Sequence, residues 1–193
     1  MVRLTKIYTR TGDAGETHLG DMSRVSKAHP RVDCYGDVDE LNSVIGMARA
    51  LEAPDQVDAL LERIQNELFD LGADLCVPGQ GDDRLRVTPG QVEDLEQACD
   101  AANEPLESLD SFVLPGGTPL AANLHHARTV CRRAERSVTV LIGTEPDSVN
   151  PSALRYLNRL SDLLFILARA ANHGVGGDVM WKPGATRGGS SAG

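Results

Sequence analysis

The chain has 193 residues, 41% of them hydrophobic, and a formal net charge of −9 at pH 7. This length is typical of one domain with a hydrophobic core. The acidic balance argues against a nucleic-acid-binding protein, because such proteins need an extended basic surface. No apolar run is long enough to span a membrane, and the first ten residues, MVRLTKIYTR, lack the apolar centre of a signal peptide. We therefore expect a cytoplasmic protein that binds neither nucleic acid nor membrane.

The apolar pattern predicts one domain built from five helices with short connections. Residues 1–31 show few helical signals and contain a Gly- and Thr-rich loop, and almost no strand signal is present anywhere. The helices are predicted, in chain order, over Pro30 to about Leu51, Val57 to Leu75, Pro89 (capped by Thr88) to about Ala102, an arginine-rich segment after Thr118, and Pro151 to Asn172. The sequence thus predicts an all-α, up-and-down bundle over about 31–172, followed by a flexible Gly-rich tail, 174–193.

Three arginines recur every four residues on the fourth predicted helix. Arg128, Arg132 and Arg136 drift by only about 80° around the helix axis and form one stripe. Stacked like charges repel mildly, so an anion is expected opposite them. The anion could be a carboxylate of a neighbouring helix or a ligand such as phosphate, which the planar guanidinium fork binds well.

The loop Thr9–Thr17 is a second candidate for anion binding. Gly12 and Gly15 let backbone N–H groups converge, and the threonines add hydroxyl donors. The segment matches neither a P-loop nor GxGxxG, so an ordinary turn is the alternative. Lys27 is close enough in sequence to serve the same ligand.

Other polar residues in the helices allow two interpretations each. Asp39 and Glu40 suit the dipole near the start of the first helix, although Asp39 could instead anchor one arginine of the stripe. Asn42 and Asn158 are unfavourable inside helices, so one could join two helices and the other could contact a ligand. Phe112 has core packing as its default role.

Histidine, tryptophan and cysteine residues give weaker signals. His125 is interpreted as a surface or core histidine, and Trp181 in the tail would need a partner to pack against. The four cysteines are scattered without a CxxC pair. The sequence therefore assigns no metal-ligating residue.

Four segments together resemble a known family. They are TRTGDAGET (9–17), YGDVDELN (35–42), RTVCRRAER (128–136) and YLNRLSD (156–162). In this order and spacing the chain resembles the PduO-type ATP:cob(I)alamin adenosyltransferases over about residues 5 to 172. The third and fourth segments are the most specific, and the first loop is less so.

The resemblance implies a ferritin-like five-helix bundle that assembles as a homotrimer. ATP with Mg²⁺ would bind between adjacent subunits, the N-terminal segment of about 5–30 would form the ATP-binding loop, and the corrinoid would sit beside the nucleotide. The implied reaction moves the 5′-deoxyadenosyl group of ATP to the cobalt of reduced cobalamin and releases triphosphate. A reductase and an adenosylcobalamin-dependent mutase are implied as partners.

Individual roles follow from the matched positions. The residues implied to wrap the polyphosphate are Thr9, Arg10, Thr11, Gly12, Thr17, His18 and Lys27. Those implied to contact ATP from the neighbouring subunit are Arg132, Arg133, Glu135, Arg136 and Asn158. Asp39 matches the carboxylate that pairs with Arg128 across the interface, and Phe112 matches the aromatic residue below the corrin ring.

The chain departs from the family in its first loop. The family commonly reads TKTGDKG there, whereas this chain has Arg10 and Ala14 at the lysine positions, so one positive charge is kept and one is lost. Two other functions stay open at this point: a non-enzymatic bundle that binds nucleotide or delivers adenosylcobalamin, and a structural trimer whose arginines make only ion pairs.

Overall fold

Five long helices and one small hairpin make up the computed structural model, which describes residue 8 and residues 10–79, 81 and 84–186. The elements, in chain order, are β1 (Glu16–His18), β2 (Arg24–Ser26), α1 (Pro30–Arg49), α2 (Asp55–Cys76), α3 (Pro89–Asn103), α4 (Pro119–Thr144), a 3₁₀ turn (Pro146–Ser148) and α5 (Pro151–Asn172). The predicted five-helix, all-α fold is confirmed. Within the described ranges, no helix has the length and hydrophobicity needed to span a membrane.

Helix α4 lies at the centre of the bundle. It packs against α1 on one side and α5 on the other, while α2 packs on α1 and α3 packs on α5. Ala121, Ala127 and Ala134 are fully buried on α4, and their small side chains let both neighbours approach closely. The core is aliphatic, as the low aromatic content requires, with Tyr156 donating a buried hydrogen bond to Glu67 at 2.7 Å.

The predicted helix starts carry the expected capping chemistry. Thr88 accepts from the Gln91 N–H while the Gln91 side chain accepts from the Thr88 N–H, a capping box, and Pro89 opens α3. Thr118 and Asn150 cap α4 and α5 through the backbone N–H groups of Ala121 and Ser152. Helices α3, α4 and α5 therefore each begin where a polar cap precedes a proline.

The N-terminal segment differs from the expected loop. Residues 16–26 form an antiparallel hairpin in which Thr17 lies opposite Val25. Both are β-branched residues that favour extended backbone. Leu19 is buried, and the Gly20 N–H donates to the Cys76 carbonyl at 3.1 Å, so the hairpin is attached to the end of α2. Thr17 and His18, predicted in a loop, therefore lie on a strand.

A buried arginine ties three parts of the bundle together. Arg31 is fully buried at the first turn of α1 and donates to the Leu75 carbonyl at 2.8 Å, to Glu145 at 2.5 Å and to the Ser148 hydroxyl at 2.6 Å. Burial raises the pKa of Glu145, but hydrogen bonds from Arg31 and Ser148 outweigh it and leave that pKa lowered. The start of α1, the end of α2 and the α4–α5 turn are thus fixed relative to one another.

We expect Arg31→Ala to reduce the free energy of unfolding by about 3 kcal/mol, because it leaves the Leu75 carbonyl and the partly buried Glu145 carboxylate without their donor. Urea denaturation followed by circular dichroism measures this. Arg49→Ala is the matched control, since Arg49 pairs with Asp58 near the surface and its loss should matter much less. Equal losses in the two variants would contradict the proposed role of the buried network.

Candidate functional site

The outward face of α4 carries the arginine stripe, as predicted. Arg132 and Arg136 are exposed, and in the described part of the chain neither makes an ion pair or a side-chain hydrogen bond. The inward positions Leu124, Val130 and Val138 are buried. The same helix therefore supplies core packing on one side and unneutralised cations on the other.

Arg133 lies on a different side of α4 from the stripe. Its Nε donates to Asp37 at 3.0 Å and its Nη2 pairs with Glu40, while Ser137 donates to the second oxygen of Asp37 at 2.5 Å. Hydrogen bonds from Arg133 to Glu40 and Asp37 raise the pKa of Arg133. Its expected contact with ATP stays a prediction, because the structure shows it joining α4 to α1.

Glu40 lies well inside α1, since that helix begins at Pro30. The interpretation that Glu40 and Asp39 serve the helix dipole is therefore wrong, because dipole effects are confined to the first turn. Glu40 instead pairs with Arg133. Asp39 is exposed, and within the described chain its carboxylate makes no ion pair, with Arg128 or with any other cation.

The two helix-interior asparagines both join helices. The Asn42 amide donates to the Gln65 carbonyl at 3.0 Å, and the Gln65 amide donates back to the Asn42 carbonyl at 3.1 Å, which links α1 to α2. Asn158 on α5 donates to Glu135 on α4 at 2.9 Å. Both residues of that second pair line a groove of about 510 Å³ between α3 and α5, so a ligand contact by Asn158 remains a prediction.

The N-terminal loop brings several predicted residues together. The Lys27 N–H donates to the Gly15 carbonyl at 2.8 Å, and a Cβ at Gly12 would lie 3.1 Å from the Lys27 ammonium nitrogen. Arg10 has a positive φ of 61°, and its guanidinium lies 5.7 Å from the centre of the Tyr8 ring. Thr11 belongs to the same turn, His18 is exposed on β1, and Thr9 lies outside the described residues.

The loop and the arginine stripe do not meet within one chain. In the described structure neither strand of the hairpin packs against α4, and the hairpin is attached to α2 instead. Among the described residues, the strand that carries Thr17 and His18 therefore lies apart from the helix that carries the arginines.

Phe112 does not pack in the core. Its side chain is 77% exposed, and its ring lies 5.9 Å from the ring of Trp181. Phe112 is therefore the packing partner that Trp181 was expected to need. The Trp181 N–H donates to the Phe112 carbonyl at 2.8 Å, and the Leu114 N–H donates to the Val179 carbonyl at 2.7 Å. The tail around Trp181 is thus paired with the segment that carries Phe112, whereas the predicted flexibility of residues 187–193 concerns residues outside the described part.

The turn before α4 holds Phe112 near the end of α5. Asn172 accepts from the Thr118 N–H at 2.9 Å and donates to the Gly116 carbonyl at 3.2 Å. Gly117 has a φ of +99°, and a Cβ there would lie within 2.1 Å of the Asn172 side chain. Only glycine fits this close approach.

Arg128 lies against the partly buried ring of Phe165. Its guanidinium lies 6.0 Å from the centre of the Phe165 ring, and its Nε is buried without a hydrogen-bond partner in the described structure. Burial, and secondly the charge of Arg132, lower the pKa of Arg128. A half-buried cation without an anion is expensive, so Arg128 is suited to receive a carboxylate or other anion from outside the chain.

His125 is buried on the same helix and lies near Phe165 as well. It is 1% exposed, its ring lies 6.0 Å from that of Phe165, and neither ring nitrogen has a hydrogen-bond partner among the described residues. Burial and the charge of Arg128 lower the pKa of His125, against a weaker opposing effect of Asp178. The histidine is therefore neutral at pH 7.

Sequence reasoning missed the roles of Phe165, Asp37 and Trp181. Phe165 lies outside the series of α5 leucines that face the core. This position in the sequence pattern could have indicated that its side chain does not face the core. The other two depend on contacts between distant segments. No group of three or more metal-ligating side chains occurs in the part of the chain that the structure describes.

Comparison with known proteins agrees with this arrangement. The family model for cobalamin adenosyltransferase matches residues 7–171. The chain is 54% identical to a corrinoid adenosyltransferase of Mycobacterium leprae over 190 residues, 95% of this chain and 98% of that protein. It is 45% identical over 166 residues to the corrinoid adenosyltransferase PduO of Salmonella typhimurium, covering 85% of this chain and 49% of that protein.

Solved structures show the same fold. A variant of a PduO-type ATP:corrinoid adenosyltransferase from Lactobacillus reuteri, complexed with cobalamin and ATP, gives a TM-score of 0.86 at 37% identity over 92% of this chain and 99% of that chain. Another variant from that organism, complexed with ATP, gives 0.84 at 38% identity over 91% and 100%. This chain belongs to the cobalamin adenosyltransferase family, and its bundle has the PduO-type fold.

The buried neutral His125 makes a prediction about pH. The unfolded chain takes up a proton near pH 6.5, whereas the folded chain resists it, so the free energy of unfolding should fall as the pH drops from 7 to 5. The slope from this one proton cannot exceed about 1.4 kcal/mol per pH unit. Urea denaturation of wild type and His125→Gln at several pH values measures it. An unchanged pH dependence in the variant would show that His125 is not the group responsible.

Proposed function

We propose that this protein transfers the 5′-deoxyadenosyl group of ATP to the cobalt of a reduced corrinoid, giving adenosylcobalamin and triphosphate. The observation that carries the proposal is the pair of exposed guanidiniums, Arg132 and Arg136, which lack a carboxylate partner in the described chain. An acidic protein that keeps two adjacent cations unneutralised offers a site for a polyphosphate. Membership of the adenosyltransferase family supports the same assignment.

The ATP site in this proposal lies between two copies of the chain in a homotrimer. One copy supplies Arg132, Arg136, Glu135 and Asn158, and another supplies the loop residues from Thr9 to Gly12 with Thr17, His18 and Lys27. The separation of these two sets within one chain supports this division. Arg133 would join the first set by exchanging a contact to Asp37 or Glu40 for one to phosphate.

The chemistry requires charge stabilisation and no general base. Cobalt(I) attacks C5′ of ATP, the cobalt–carbon bond forms, and the C5′–oxygen bond breaks as triphosphate leaves with the bonding electrons. Negative charge grows on the leaving oxygen, and fixed guanidiniums there lower the barrier. The nucleophile carries no proton, so a catalytic histidine or carboxylate is not needed.

Mg²⁺ enters this scheme with ATP as part of the substrate. Mg²⁺ usually keeps several waters and binds through phosphates and one or two carboxylates. The scarcity of clustered ligands among the described residues fits an ion held chiefly by the phosphates.

Phe112 is assigned to the corrinoid. It lines a cavity of about 620 Å³ together with Phe165 and Trp181, and its exposed ring offers an apolar surface to a large flat ligand. A bulky apolar residue below the ring would exclude a lower axial ligand, which makes cobalt(II) easier to reduce. A cytoplasmic location, an electron-supplying reductase and a mutase that receives the product are further predictions from the sequence.

Arg132→Ala should lower kcat/KM for ATP by about 100-fold, because it removes one preorganised cation from the triphosphate. Thermal stability should be unchanged, since Arg132 has no partner in the described fold. The assay follows cobalt–carbon bond formation by visible spectroscopy with ATP, Mg²⁺ and chemically reduced cobalamin. Arg49→Ala is the control, because its cation is already paired with Asp58.

Wild-type protein that forms no cobalt–carbon bond in this assay would refute the proposed activity. Stoichiometric binding of adenosylcobalamin without release of triphosphate would favour the alternative delivery role.

Phe112→Ala should leave ATP binding by calorimetry unchanged but slow the reaction that starts from cobalt(II) with an added reductant. The reaction with cobalt(I) prepared chemically should suffer less, because the reduction step is then bypassed. Equal losses from both starting states would argue that Phe112 has a general structural role.

A further inference from the structure

Arg155 is an exposed cation on α5 that its own chain does not neutralise. Among the described residues its guanidinium makes neither an ion pair nor a hydrogen bond. Arg159, one turn further along the same helix, shows the opposite situation, because it pairs with Glu96 at 2.9 Å. Arg155 thus resembles Arg132 and Arg136 in keeping its charge available within an acidic protein.

The groove between α3 and α5 brings Arg155 together with two residues assigned to the nucleotide in the proposed function. Glu135 and Asn158 line the same cavity of about 510 Å³, and their side chains are joined by a hydrogen bond of 2.9 Å. Arg155 comes three residues before Asn158, so the two residues share one side of α5. Arg155 is therefore a neighbour of the proposed ATP site, although neither the sequence pattern nor the family resemblance singles it out.

A carboxylate is present in the same groove and Arg155 does not use it. Glu93 of α3 lines the cavity and is exposed, but the two side chains are not within ion-pair distance of each other in the described structure. An exposed pair of this kind would contribute at most about 1 kcal/mol to stability. The guanidinium is thus free for a phosphate, which it can bind with two parallel hydrogen bonds.

The packing of α4 on α5 gives the position of Arg155 relative to the aromatic cavity. Arg128 lies next to Phe165, and Glu135 accepts a hydrogen bond from Asn158, so the two helices run antiparallel. Arg155 therefore lies about 15 Å from Phe165 along the axis of α5, at the end of the groove that is remote from the cavity.

The proposed reaction requires the triphosphate to run in this same direction. C5′ must meet cobalt at the cavity that Phe112 lines, and triphosphate leaves on the opposite side of C5′. Arg132 and Arg136 follow Arg128 by about 6 and 12 Å along α4, away from that cavity. Arg155 comes next in this direction, so the phosphate farthest from C5′ lies nearest to it.

We propose that Arg155 binds the terminal phosphate of ATP and thereby makes the site selective for a triphosphate over a diphosphate. This role rests on the proposed function and adds a residue to the copy of the chain that supplies Arg132 and Arg136. Those two arginines hold the phosphates nearer to C5′, whereas Arg155 adds a contact that ADP cannot make. Selectivity arises because a missing phosphate leaves the guanidinium without its anion.

Calorimetric titration with ATP and with ADP, each in the presence of Mg²⁺, tests the selectivity. Arg155→Ala should weaken ATP binding by about 10-fold, because one charge-assisted contact is lost, and should leave ADP binding unchanged. Arg155→Lys keeps the charge but not the planar fork, so its ATP affinity should lie between those of wild type and Arg155→Ala. Circular dichroism should show the same helix content in all three proteins.

Two control variants separate this contact from the general effect of charge. Arg63→Gln also removes one positive charge, but from an arginine that already lies 3.6 Å from Glu67, so both nucleotides should bind as they do to wild type. Glu93→Gln removes the unused carboxylate of the groove and should not weaken ATP binding. In turnover, Arg155→Ala should raise KM for ATP by about 10-fold with little change in kcat, because the terminal phosphate is remote from the breaking bond.

Unchanged ATP binding in Arg155→Ala, or equal losses for ATP and ADP, would overturn this role for Arg155. The visible assay on wild type separates the role from the activity. A wild-type protein that forms no cobalt–carbon bond would refute the proposed function, while the two titrations still decide the role of Arg155. A wild-type protein that forms the bond, beside an Arg155→Ala protein with undiminished preference for ATP, would refute the role of Arg155 alone.

Discussion

The rest of the structure depends on helix α4, which packs into the core on one side and carries exposed arginines on the other. Its alanines allow α1 and α5 to pack tightly against it, so the helix cannot shift without opening the core. Its outward arginines are consequently held at fixed positions, and the described chain neutralises only Arg133, through Asp37 and Glu40. Arg132 and Arg136 have no carboxylate partner among the described residues, and we propose that they stabilise the triphosphate leaving group.

The same division bears on the proposal that the ATP site is shared between two copies of the chain. The hairpin is fixed to the end of α2, and Arg31 fixes the neighbouring start of α1 to the α4–α5 turn. In the described structure neither strand of the hairpin packs against α4, which carries Arg132 and Arg136, and this separation is why we propose a site shared between copies.

The segment that we propose to contact the corrinoid is held in place by the C-terminal tail. The tail after α5 returns to pair with the segment around Phe112, and Asn172 holds the intervening turn. Phe112 is therefore exposed yet supported by Trp181 and by the backbone on both sides. Phe165 lines the cavity that Phe112 and Trp181 also line, and its ring lies next to Arg128. The cavity is therefore adjacent to the start of the arginine stripe.

Local chemistry was enough to determine the five helices, since apolar periodicity and the caps at Thr88, Thr118 and Asn150 act over a few residues. It also determined that Arg128, Arg132 and Arg136 form one stripe, and the family resemblance supplied the reaction. Only the tertiary structure decided that Arg133 pairs with Asp37 and Glu40 and that Trp181 supports Phe112. Those facts depend on which distant segments come into contact, and a one-dimensional pattern carries no distance between helices.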